Sequence, residues 1–259
     1  MRVVVNADDF GKDENVNAAI RLCFERGYIS STTLMVNMPS ALEAAEIAKR
    51  EGFADRVGLH FNLTQGLPVS QNIRGQKRFC DGGGRFNAAF HLSTLSRLFL
   101  SGAESRAVRE EAAAQLDRYL ALGFRGMHLD SHHHVHTDMA VWRMLEPEAI
   151  KRGFVSVRLS RNIFEEGGCS LFNKVYKGIY NGNLSKKGFW TSRYFGSFRD
   201  FQAACDSLED REVAEIMVHP ILSEDGQLLD TDEPMEKAVE FLREKGVRLC
   251  SYQELAKTE

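Results

Sequence analysis

Apolar and polar positions along the chain switch between two periods. Residues 3–7 (Val-Val-Val-Asn-Ala) are a short β-branched run closed by polar residues, which predicts a buried strand. In residues 13–27, Val16, Ala19, Ile20, Cys23 and Phe24 recur at helical spacing, and Gly27 supplies a stop. The alternation continues with strands expected over 33–36, 57–61, 127–130, 155–159, 215–218 and 247–250. Helices are expected over 40–52, 104–122, 138–151 and 232–245. Ser40 and Glu43 fit a capping box. Pro147 should kink or end its helix, whereas Pro234 falls in a first turn that tolerates it.

Two stretches break the pattern. Residues 68–90 are rich in Gly, Asn, Gln and Arg, and residues 165–200 in Gly and aromatics. Both read as irregular insertions in a single domain spanning 1–259. About seven strands alternating with helices imply an α/β fold with a parallel sheet. The length suits a distorted β/α barrel, with an open doubly wound sheet as the alternative.

Composition narrows the function classes. The 259 residues carry 33 Lys plus Arg against 36 Asp plus Glu, a formal net charge of −3. That excludes a strong global attraction to nucleic acid or to an anionic membrane. No apolar run approaches the ~18 residues of a membrane span. The opening residues lack the long apolar stretch of a signal peptide. Five scattered cysteines without a C-x-x-C spacing read as reduced thiols, which fits a cytoplasmic protein. Neither a Gly-x-Gly-x-x-Gly after the first strand nor a Gly-Lys-Ser/Thr loop is present, so nothing supports a nucleotide site.

Histidine is the strongest chemical signal. Of eight in the chain, His128, His132, His133, His134 and His136 fall within nine residues. On a continuing strand, His128, Asp130, His132, His134 and His136 share one face. On a helical turn, His132 and His136 pair at i, i+4. Either arrangement converges imidazoles, which metal binding explains better than a merely polar strand end. Asp8 and Asp9 directly follow the first strand and can take two roles, one ligating an ion and the other moving a proton. His60 and His219 sit at predicted strand ends, where barrel active sites form. Asp9, His60 and one histidine of the cluster make an open three-ligand set, with Asp8 and His219 available for proton transfer.

Four segments together resemble the YdjC-like carbohydrate deacetylases, a family that includes chitooligosaccharide deacetylases. They are residues 6–11 (Asn-Ala-Asp-Asp-Phe-Gly), 58–64 (Gly-Leu-His-Phe-Asn-Leu-Thr), 128–136 (His-Leu-Asp-Ser-His-His-His-Val-His) and 218–220 (Val-His-Pro). The resemblance implies a distorted barrel related to the polysaccharide deacetylases, and one divalent ion, Mg²⁺ or Zn²⁺, held by Asp9, His60 and His132. It implies Asp8 as general base, His219 as the acid for the departing amine, and a small N-acetylated saccharide as substrate. It also leaves room for a homodimer.

Other positions are expected around that centre. Asp130 can hold a ligand imidazole, and Arg158 can orient Asp8. His134 and His136 stand as alternative ligands or substrate contacts, and Trp190 and Phe195 as an aromatic platform for a sugar. Two readings compete with deacetylation. One is a metal-dependent phosphoesterase, for which Arg158 and Arg161 are few phosphate contacts. The other is a non-catalytic saccharide-binding relative, against which the full set of Asp8, Asp9, His60, His132 and His219 argues.

Overall fold

The structure is a computed structural model that describes residues 1–125, 127–164 and 171–256. Its main sheet is built on β1 (Arg2–Phe10), β2 (Ser31–Leu34), β3 (Val57–Phe61), β4 (His128–Ser131), β5 (Ser156–Val157), β6 (Tyr194–Ser197) and β7 (Val213–Val218). These run in the order β5-β4-β3-β2-β1-β7-β6. A small sheet follows, made of β8 (Pro220–Leu222), β9 (Leu228–Asp230) and β10 (Glu233–Pro234), and β11 (Arg248–Leu249) then pairs with β1. Every pairing in the main sheet is parallel. The sheet curls into an incomplete barrel. At its β5 edge, Ser156 bridges to Trp190, four residues before β6, and Val157 N–H donates to Trp190 O over 3.1 Å.

The helices α1 (Glu14–Glu25), α2 (Ala41–Arg50), α3 (Thr94–Leu98), α4 (Gly102–Ala121) and α5 (Met139–Lys151) accompany β1 to β5. After them come α6 (Leu171–Lys186), α7 (Phe198–Ala204), α8 (Met235–Glu244) and α9 (Tyr252–Ala256). Among the described residues, none of these helices is long and apolar enough to cross a membrane. Sheet and helices share one large apolar core running from Val3 to Leu242. A smaller cluster of Val4, Val213, Cys250, Tyr252 and Leu255 closes the other end of the sheet.

Several local expectations change. Ser40 precedes α2 but makes no side-chain cap bond. Asn17 instead donates to Ser40 O and to Glu43 Oε2 at 3.1 and 2.8 Å, taking the carboxylate that a capping box would use. Capping boxes form instead at Ser101 and Glu104, at the start of α4, and at Ser197 and Asp200, at the start of α7. Helix α5 runs unbroken through Pro147. The stretch 165–200 is not irregular throughout, because it supplies α6 and the edge strand β6; residues 165–170 lie outside the described residues.

The excursion 68–90 is short of regular structure but well anchored. Ile73, Phe79, Phe86 and Phe90 enter the core. The buried Glu111 carboxylate of α4 accepts from Val69 N–H at 2.9 Å and Ser70 N–H at 2.6 Å. Register then positions the chemistry. His60 on β3 lies opposite Asp130 on β4, and Ala7 on β1 opposite Val218 on β7. Asp8 and His219 therefore leave neighbouring strands side by side. Gly58 permits the close approach of β3 and β4, since a Cβ there would sit 2.9 Å from His128 O.

Candidate active site

All the principal candidates gather at the C-terminal end of the sheet, as a β/α architecture predicts. β1 loses regular register with β2 between Ala7 and Phe10, and Asp9 takes a positive φ of 69°. For a non-glycine residue that conformation is costly and often functional. It turns two adjacent carboxylates to different neighbours. Asp9 Oδ1 lies 2.7 Å from His132 Nδ1 and 3.2 Å from His60 Nε2. Lys12 Nζ reaches the second oxygen of Asp9 at 3.0 Å.

Asp8 faces the sheet interior. Arg158 donates to both of its oxygens, at 2.6 and 2.7 Å, and Asn6 Nδ2 adds a bond of 2.9 Å. The guanidinium is fully buried and also meets Asp130 at 2.9 Å and Glu215. One cation thus joins carboxylates from β1, β4 and β7. Phe195 lies beneath it, 4.8 Å from ring centroid to guanidinium carbon.

Asp130 links this hub to the histidines. It accepts from Thr33 Oγ1 at 3.0 Å, and its Oδ1 lies 2.7 Å from His60 Nδ1. That contact fixes which face of the imidazole turns toward Asp9, a common support for a ligating histidine. His219 stands at the rim with its side chain 45% exposed, Nε2 4.0 Å from Asp8 Oδ2. Its backbone N–H is anchored by Asp230 at 2.8 Å.

The local field follows from these contacts. Burial would raise the carboxyl pKa values of Asp8 and Asp9. Arg158 outweighs it at Asp8, and the His132 and His60 contacts at Asp9, so both stay well below the usual carboxylate range. Burial would lower His60, but Asp130, Asp9 and Asp8 together raise it to about 10. At His132 burial prevails over the Asp9 contact, and the pKa falls. Burial also raises Glu215, to about 6, against the pull of Arg158.

Among the described residues, three carboxylate and histidine groups have donor atoms within 4.8 Å of one another: Asp9/His60/His132, Asp8/His60/Asp130 and His128/Asp130/Glu215. In the second and third, the carboxylates are already paired with Arg158. Asp9/His60/His132 remains as the group that fits a divalent ion: two imidazoles, one carboxylate and an open side. An ion there would take the place of the proton that His60 otherwise holds between two carboxylates.

The other expected residues divide. Asp130 and Arg158 lie directly behind the cluster. His136 and His134 do not join it. Positive φ values at His133 and His134 bend the chain after β4, so neither a continued strand nor a helical turn describes the run. His136 Nδ1 meets Ser131 Oγ, and its Nε2 lies 3.1 Å from Arg158 O. His134 is directed to Phe195, with the rings 5.8 Å apart. Phe195 is fully buried and cannot stack on a sugar. Trp190 packs edge-on against Tyr252 and bridges to Ser156 of β5.

Sequence reasoning missed Asn6 and Thr33 as partners of the site carboxylates, and Glu215 as a third partner of Arg158. It also missed His133, whose ring stacks 4.0 Å from that of His132. Glu215 carries a readable signal, a lone carboxylate within an apolar strand.

The profile of a family described as YdjC-like protein matches residues 2–255. A carbohydrate deacetylase of Brevibacillus brevis is 29% identical, covering 98% of this chain and all of its own length. One from Geobacillus stearothermophilus is 30% identical over 98% of both chains. A crystal structure from Enterococcus faecalis V583, provisionally described as a cellobiose-phosphate cleavage protein, has a TM-score of 0.74 and 23% identity. It covers 98% of each chain and shows a shared fold.

Proposed function

The chain belongs to the YdjC-like protein family, and from that premise we propose that it is a carbohydrate deacetylase cleaving the acetamide of a small N-acetylated saccharide. The observation that carries this reading is the division of labour between adjacent Asp8 and Asp9. Asp9 joins His60 and His132 in a group fit for an ion, while Asp8 stays outside it, ionised by Arg158. A divalent ion in that group supplies Lewis-acid polarisation of a carbonyl and a lowered pKa for water.

The protein's own groups do the rest. Asp8, kept anionic by Arg158, accepts the proton of the attacking water. The guanidinium that keeps Asp8 ionised also limits its basicity. Asp130 holds the His60 ring in place. His219, exposed at the rim and 4.0 Å from Asp8, gives a proton to the departing nitrogen. An amine anion is too poor a leaving group to go unassisted. The carbon–nitrogen bond breaks, and acetate and a free amino sugar leave.

The two nitrogen donors suit zinc, while magnesium favours oxygen ligands. The thiols of Cys23, Cys80, Cys205 and Cys250 are free, which suits a cytoplasmic enzyme.

The test is acetate release from N-acetylglucosamine, diacetylchitobiose and longer chitooligosaccharides. Chelated protein is compared with protein given Zn²⁺, Mg²⁺, Mn²⁺ or Co²⁺. Release that depends on added ion supports the reading. Stoichiometric ion binding without acetate from any of these sugars would overturn it.

A further inference from the structure

Along the seam between β5 and β6 lies a cavity of about 1340 Å³ that the proposed reaction does not use. Among the described residues, its lining carries Arg2, Arg161, Lys174, Lys177 and Arg193 against a single carboxylate, Glu212. In a chain of net charge −3, that is a local reversal of sign. None of Asp8, Asp9, His60, His132 and His219 lines it. The lining reaches Arg2 and Val213, the first residues of β1 and β7. Arg2 precedes Asp9 by seven residues along β1, roughly 23 Å at the rise of a strand. The cavity therefore extends to the opposite end of the sheet from the candidate ion group.

Two polar atoms in the lining residues lack partners among the described residues. Ser192 is 3% exposed, and its buried Oγ makes no hydrogen bond. Arg161 pairs through one terminal nitrogen with Asp200, yet its buried Nε has no acceptor. An arginine Nε can only donate, so it needs an oxygen that the described residues do not supply. Buried polar groups left unpaired are rare and call for a reason. Trp190 and Tyr194 also line the cavity, each half-buried, and offer ring surface next to these donors.

We propose that the seam cavity is a binding site for a phosphate-type oxyanion, free or carried on a sugar. Arg161 Nε, Ser192 Oγ and the exposed Arg193 and Lys174 would supply its donors. Charge-assisted bonds to a phosphate give these groups the acceptors they lack. The inference is independent of the deacetylase reading.

Calorimetric titration of the chelated protein tests it, because no ion is then present to hold phosphate at the Asp9 group. The probes are inorganic phosphate, glucose 6-phosphate and glucose. One saturable site for either anion, and none for glucose, is the expected result. Arg193→Gln and Lys174→Gln alter exposed side chains, so the fold should persist, with the thermal midpoint as the check. Each should weaken anion binding roughly tenfold, as for one lost charge-assisted contact. Asp9→Asn should leave it unchanged. Equal affinity for both anions identifies free phosphate as sufficient, and tighter glucose 6-phosphate adds contacts to the sugar. The proposal fails if neither anion binds, if both lysine and arginine variants bind as the parent does, if glucose binds as well as its phosphate, or if Asp9→Asn abolishes binding.

Discussion

The C-terminal cleft and the β5–β6 seam treat charge in opposite ways. In the cleft, Asp8, Asp9 and Asp130 each meet two or more partners, and one buried arginine answers three carboxylates. Among the described residues of the seam, cations outnumber carboxylates, and two buried polar atoms have no partner. The cleft's carboxylates are matched by its arginine and histidines, although Asn6 Oδ1 and Glu215 Oε2 there also lack hydrogen-bond partners among the described residues; the seam lining keeps an excess of cations. A built-up network costs stability when any member is removed, whereas an orphaned group costs stability while it stays.

Substitutions can break or sharpen this contrast. The largest effect is expected from His132→Ala, which should remove bound ion and acetate release together, read by elemental analysis and by assay. Asp8→Asn should leave ion content intact and reduce kcat roughly 10²–10⁴-fold, the range for loss of a general base. Near-full turnover in that variant would place the base elsewhere. Arg158→Met should destabilise the fold by about 3–5 kcal/mol in denaturant titrations, because three buried carboxylates lose their cation. An unchanged midpoint would show that the hub is not needed for stability.

The smallest effects compare two hydroxyls directly. Thr33→Val takes a donor from Asp130 and should cost about 1–3 kcal/mol. Ser192→Ala removes a buried hydroxyl with no partner and should be neutral within about 0.5 kcal/mol, or stabilising. If the two cost the same, cleft and seam do not differ in the way described.

The legibility of the sequence divides along the same line. The first half of the sheet announces itself, because β1 and β3 are dense apolar runs and α1 and α4 present regular apolar faces. The seam does not. β6 reads Tyr-Phe-Gly-Ser, with no β-branched run, and Gly196 is there for packing. A Cβ at that position would sit 2.7 Å from Ile163 Cγ1. Helix α6 contains Gly178, Gly182 and three asparagines, which local propensity counts against a helix. Tertiary contact decides both elements.

The site was legible in its residue types and less so in its geometry. Clustering of His and Asp singled out the candidates that the fold brings together. The bend at His133 and His134 was not readable, since positive φ at histidine has no periodic signature. It separates His132 from His134 and His136, which a simple strand would have kept together. Phe195 was expected to face a sugar, yet it supports Arg158, because burial depends on what the edge strand is packed beneath.

Asp8 and Asp9 are joined by a single peptide unit, so their Cα atoms stay about 3.8 Å apart whatever the rest of the sheet does. Breathing of β3 or β4 can open or tighten the ring of histidines around Asp9. It cannot carry the proposed proton acceptor, Asp8, away from that carboxylate. The chain has entrusted its most critical spacing to covalent bonds, and only the outer members of the site depend on the fold to hold their distance.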